Sequence, residues 1–206
     1  MKPGAAERSY LNSALHAALH RHVLPGMFQG LKPLPPQANV LEIGCGNGIG
    51  AEAIVKQWRA AHVTATDIDD TSLSRTQFYL DSKLAPHQFA VRQADILALP
   101  FAAQRFDAVV SHGVIHHVED WKAALAEVAR VVKPGGLFYA WEFYRPLLEF
   151  APFAKLFPHP ANRFTHQEFL SELARHKLAV LNYRTFMGLS GMVVAQRSTP
   201  TTEYYD

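Results

Sequence analysis

Apolar and polar positions follow two rhythms along this chain, and the switches between them predict its elements. Val40-Leu41-Glu42-Ile43 is an apolar run carrying one carboxylate, and glycine follows at 44, 46, 48 and 50. Ala51 to Trp58 then takes up helical spacing. His62 to Ile68 is β-branched and contains Asp67 near its end, and Asp69-Asp70-Thr71-Ser72 supplies starting residues for a helix with Leu73, Phe78, Tyr79 and Leu80. His87 to Arg92 predicts a short third strand, and Arg105 to His112 a fourth whose apolar centre suits burial on both faces. Trp121, Leu125, Val128 and Val132 share one helical face behind Asp120, and Lys133-Pro134-Gly135-Gly136 stops that helix before a fifth strand from Leu137 to Phe143. Strand and helix in alternation predict an α/β fold: a parallel sheet with right-handed crossovers and helices on both faces.

Three segments stand outside this rhythm. Residues 7 to 24 place Leu11, Leu15, Leu19 and Val23 four apart, a helical stripe that ends in a linker marked by Pro25, Pro33, Pro35 and Pro36. His16 and His20 share a face of that helix at metal-ligand spacing, but no third ligand is indicated, so a solvated face and no metal are expected. Residues 144 to 164 are rich in Pro and Phe and read as a lid over an apolar acceptor, a docking surface or packing for the N-terminal helix; the lid is favoured, because covers in such folds come from loops at the C-terminal ends of strands. Thr165 and Glu168 form a capping box, with Phe164 and Phe169 as its hydrophobic staple. Leu178 to Phe186 and Met192 to Arg197 read as two strands joined by Gly188-Leu189-Ser190-Gly191. The organisation expected is an N-terminal helical segment and linker (1–37), a main domain (38–197) containing the lid-like insertion, and a tail (198–206).

Composition narrows the setting. A length of 206 residues, 49% hydrophobic and 18% charged, suits one globular domain. No apolar stretch of about 18 residues exists, so no transmembrane helix is expected. The first residues lack an apolar signal core, and the single Cys45 cannot form an intramolecular disulfide; both favour a cytoplasmic location. A net charge of +2 without any run of Lys and Arg argues against a nucleic-acid partner.

The chemistry concentrates at the first strand. Strand, glycine turn and helix bring backbone N–H groups and a helix N-terminus to a nucleotide-like ligand. Gly46-x-Gly48-x-x-Ala51, together with Asp67, satisfies the relaxed dinucleotide pattern and leaves an NAD(P)-dependent oxidoreductase open. Glu42 speaks against it, since a buried carboxylate needs a partner and would repel a pyrophosphate.

Glu42-x-Gly44-x-Gly46-x-Gly48 resembles the first motif of class I S-adenosylmethionine-dependent methyltransferases. Asp67, the stretch Gln93 to Phe101, and Phe106-Asp107-Ala108-Val109 through His116-His117-Val118 to Lys133-Pro134-Gly135-Gly136 are similar to later motifs of that family, in order, over roughly residues 38 to 197. The resemblance implies a Rossmann-like three-layer sandwich, with a seven-stranded, mostly parallel sheet closed by a C-terminal antiparallel hairpin. It also implies S-adenosyl-L-methionine as cofactor, S-adenosyl-L-homocysteine as product, and cofactor contacts from Glu42, Gly44, Cys45, Gly46, Gly48, Asp67, Ile68, Asp95, Ile96 and the backbone of His112. Asp67 would accept from the ribose hydroxyls and Asp95 from the adenine amine. His116 or His117 is the candidate base or acceptor-orienting group, with packing beside the cofactor as the alternative. Glu142 and Tyr144, at the end of the fifth strand, are within possible reach of an acceptor. Ser111-His112-Gly113 is unlike the Asn/Asp-Pro-Pro-aromatic signature of adenine-N6 and glutamine methyltransferases, and one cysteine is too few for the arsenic-methylating branch. The expected acceptor is therefore a small molecule, with hydrophobic ones included; a non-catalytic S-adenosylmethionine-binding module is the alternative.

Overall fold

The computed structural model describes residues 13–156 and 159–199. Leu11 and the expected helix start near residue 7, Phe157, and the tail from residue 200 lie outside the described residues. The strands are β1 (Asn39–Ile43), β2 (His62–Asp67), β3 (Phe89–Gln93), β4 (Phe106–His112), β5 (Val132–Phe143), β6 (Leu178–Phe186) and β7 (Ser190–Arg197). They form one sheet in the order β3-β2-β1-β4-β5-β7-β6, parallel through β5, with β7 antiparallel to both of its neighbours. The Rossmann-like architecture with a terminal hairpin is the one expected.

Alternation along each central strand divides the core in two. Leu41, Ile43, Val109 and Phe138 face one side, where they meet Trp121, Leu125 and Val128 of α5 (Trp121–Val131) and Phe169 and Leu173 of α8 (His166–Arg175). Val40, Ala108, Val110 and Tyr139 face the other, under α2 (Leu24–Leu31), α3 (Ile49–Lys56) and α4 (Asp70–Asp81). Helices on both faces make three layers. The Thr165 cap is formed as expected: Thr165 Oγ1 accepts from the Glu168 N–H at 3.2 Å, and Glu168 accepts from the Thr165 N–H at 2.7 Å.

Three elements differ from the pattern. β5 begins at Val132, not Leu137: Val132 pairs with Phe106 before a register shift, and Gly135 turns the strand at φ +76°. The N-terminal stretch does not end at Pro25. α1 (Ala14–Ala18) runs through a π-helical turn (Leu19–Val23) into α2, with Pro25 in the first turn of α2. Proline offers no N–H to the Arg21 carbonyl one turn back, and the Gln57 side chain donates to that carbonyl instead at 2.8 Å. The buried stripe is His16, His20, Leu24 and Phe28, whereas Leu15 is 71% exposed. The expected solvated face of His16 and His20 is thus corrected: aromatic surface from Trp58, His112 and Tyr139 draws this face inward.

Residues 144–164 carry two short helices, α6 (Arg145–Leu148) and α7 (Ala151–Leu156). The ends of the segment are pinned together. The Arg145 N–H donates to the Phe164 carbonyl at 2.8 Å, and its guanidinium binds the Arg163 carbonyl and Glu168. Tyr144, Leu148 and Phe164 are buried, while Phe150 between them is exposed.

Candidate functional site

β1, β2 and β4 end at one edge of the sheet, where their loops surround a cavity of about 660 Å³. The loop after β1 forms its floor. Gly44, Gly46 and Gly48 take φ of +66°, +55° and +83°, a region that favours glycine. A methyl on Gly46 would meet nothing within 4 Å, because that Cα faces the cavity; one on Gly48 would face Thr76 and Tyr79. Gly48 therefore shapes the turn and caps α3 without lining the cavity. Cys45 is buried beside the Thr76 hydroxyl, and burial pushes its thiol well above the ordinary range, as suits a packing residue.

Glu42 is 2% exposed, with Oε1 3.3 Å from His112 Nδ1. Its Oε2 is buried with no hydrogen-bond partner among the described residues. Burial raises the pKa of this carboxyl, against the His112 contact and the Ala51 N–H, which lower it. A buried carboxylate in a cavity wall is the feature a cationic ligand would complement. Asp67 accepts from the Gly46 N–H on Oδ2 and from the Asp69 N–H on Oδ1, both at 3.0 Å, which leaves lone pairs on each oxygen for a diol. Asp95 caps its own turn through the Leu97 N–H, and Ile68 and Ile96 add apolar wall. These groups suit a nucleoside with a cationic tail.

The other end carries His117, Val118 and Glu119. His116 lies beneath them, 5% exposed, with Nδ1 2.6 Å from Glu142 Oε2. Glu142 also accepts from the Ser111 hydroxyl and from the N–H groups of Ile115 and His116. Burial pushes its carboxyl up to about 7. The reach of Glu142 toward an acceptor is corrected: it turns inward to hold the loop after β4. Tyr144 is likewise in the core, its hydroxyl 2.9 Å from His166 Nδ1.

Of the residues singled out in the sequence, Glu42, Gly44, Cys45, Gly46, Asp67, Ile68, Asp95, Ile96, His112 and His117 share this cavity wall; Gly48 and His116 do not. The His112 ring packs against His20 and Phe28. Among the wall residues not expected there are His16 and His20. Their spacing is visible in the sequence, but the ring they meet, His112, lies far along the chain. Burial, and next the neighbouring His112, lowers His16 to about 4 and His20 to about 2. Among the described residues, none of 144–164 lines the cavity itself.

Residues 41–140 match the family described as Methyltransferase domain. The chain is 35% identical over 122 residues to the uncharacterized methyltransferase Rv0089 of Mycobacterium tuberculosis, covering 59% of this chain and 58% of that one. It is 33% identical over 126 residues to the sterol 24-C-methyltransferase ERG6B of Gibberella zeae, covering 61% and 32%. The match thus spans less than two thirds of either relative's length. The structure of an S-adenosylmethionine dependent methyltransferase from Mesorhizobium loti shares the fold, with a TM-score of 0.70 at 17% identity over 84% of this chain and 96% of that one. The match over residues 41–140, the sheet order and the glycine loop together support a class I S-adenosylmethionine-dependent methyltransferase.

Proposed function

We propose that this chain is a methyltransferase that binds S-adenosyl-L-methionine in the cavity over β1 and methylates a small molecule with an apolar body. The observation that carries this reading is Glu42: a buried carboxylate with an unpartnered oxygen, in one cavity wall with the glycine loop and Asp67. Bound there, S-adenosylmethionine would supply an electrophilic methyl group on a positively charged sulfur. Glu42 would complement the cationic end, Asp67 the ribose, and Asp95 with Ile96 the adenine. What the chain adds is alignment and the exclusion of water, because in-line displacement at an activated methyl needs little else. Where the acceptor must lose a proton, His117 is the group in the wall that would take it; His116 would act only through its neighbours, its Nδ1 being committed to Glu142. Residues 144–164 would cover the acceptor's end by way of His159, which stacks on His117.

A small acceptor accords with a cavity in the ordinary size range of small-molecule sites and with the sterol named for one relative. Among the described residues, no helix is long and apolar enough to cross a membrane. The free, buried Cys45 supports the reducing conditions of a cytoplasm.

The test is calorimetric binding of S-adenosylhomocysteine and of NAD to the wild type and to Asp67→Ala. S-adenosylhomocysteine should bind, and the variant should lose about 1.5–3 kcal/mol, roughly ten- to a hundredfold in affinity. Binding of NAD in its place, or of neither, would overturn the proposal.

A further inference from the structure

We propose that His116, His117 and His159 form a binding site for a divalent transition-metal ion of the zinc class, with Glu142 holding it from behind. The rings come from two segments. His116 and His117 lie in the short 3₁₀ turn Ile115–His117 after β4, and His159 lies between α7 and α8. One ring nitrogen of each lies within 4.8 Å of those of the other two. The centroids are 4.2 Å apart for His116 and His117, 5.3 Å for His116 and His159, and 4.8 Å for His117 and His159. Neutral imidazole is a preferred ligand of zinc and its neighbours, whereas three cationic imidazoles so close would repel one another.

A second observation points the same way. Glu142 takes Nδ1 of His116 at 2.6 Å, so a metal would be met by Nε2, on the far side of the ring from the carboxylate. The carboxylate is itself fixed by the Ser111 hydroxyl and by backbone N–H groups of the same turn. Carboxylate, histidine and metal in line is the arrangement that sets the tautomer and orientation of a ligating ring. Tetrahedral ligands at about 2.0–2.1 Å stand roughly 3.3 Å from one another, so the remaining closure falls to His117 and His159, which are half-buried. Three histidines leave a fourth position for water or substrate. His117 also lines the main cavity. On the methyl-transfer reading, on which this one point rests, the ion would stand at the acceptor's end; cation binding itself does not need that reading.

The experiment is a titration of the untagged, chelator-stripped full chain with Co²⁺ and with Zn²⁺, followed by calorimetry and by visible absorption. One ion per chain is expected, with the Co²⁺ d–d bands of a four- or five-coordinate nitrogen site. His159→Ala should weaken binding at least tenfold, and Glu142→Gln about ten- to a hundredfold, while His16→Ala and His20→Ala leave it unchanged. S-adenosylhomocysteine binding to His159→Ala should equal that of the wild type; this reports an intact fold and separates failure here from failure of the methyl-transfer reading. Absence of stoichiometric binding, an affinity indifferent to His159→Ala, or binding that follows His16 and His20 would overturn the proposal.

Discussion

At Gly50 an added methyl would stand 2.0 Å from Glu42 Oε1 and 3.0 Å from His112 Nδ1. The start of α3 therefore rests directly on the carboxylate, and Gly50→Ala should push Glu42 out of place. Overpacking of this kind costs about 1–3 kcal/mol, so the urea midpoint should fall and S-adenosylhomocysteine affinity should fall with it; an unchanged affinity would remove Glu42 from the cofactor's binding. His20 makes a different prediction. Burial keeps it neutral down to about pH 2 in the fold, while in the unfolded chain it titrates near 6.5. Between those limits the unfolded chain takes up a proton that the fold refuses, so the contribution is complete above pH 6.5 and shrinks as the pH drops. Glu142, raised to about 7, acts with the opposite sign: its contribution is complete below 4.5 and is lost as the pH rises through 7. Comparison of variants separates the two. His20→Leu should flatten the acid decline by up to about 1.4 kcal/mol per pH unit below 6.5, and an acid limb matching the wild type would refute this.

Among the elements, those with a local cause were legible. The β1 run, the glycine turn, the Asp69 and Asp120 caps and the Thr165–Glu168 box each depend on residues within one turn of each other. The π-helical turn was not, because the Gln57 amide that makes Pro25 tolerable comes from another element. For the same reason the local pattern places His16 and His20 in solvent: His20 meets His112 and Trp141, His16 packs on His20, and no local spacing reports those contacts. The turned-in Glu142 belongs to this class too, since its partners lie on the loop after β4. The pinned segment at 144–164 yields a prediction of its own. Deleting 147–160 leaves Arg145 and Phe164 near enough to retain their hydrogen bond. Calorimetric S-adenosylhomocysteine affinity should stay close to that of the wild type while acceptor turnover falls. Equal loss of both would make the segment packing and not a cover.

For the molecule as a whole, strand period and helix period together gave the three layers, because alternate residues of β4 go to opposite cores. Neither period announces which strand lies beside which. The order β3-β2-β1-β4-β5-β7-β6 has a consequence for how the chain is made. β7 is the last strand of the sheet to leave the ribosome, yet it fills an interior slot, hydrogen-bonded to β5 on one side and β6 on the other. Until it emerges, β5 presents an apolar open edge through Phe138 and Ala140, and β6 has no strand to pair with. The nascent protein carries that edge from the completion of β5 at Phe143 until β7 emerges from Ser190 onward, at about 5–20 residues per second, and a message cut short before Ser190 would leave the edge open permanently.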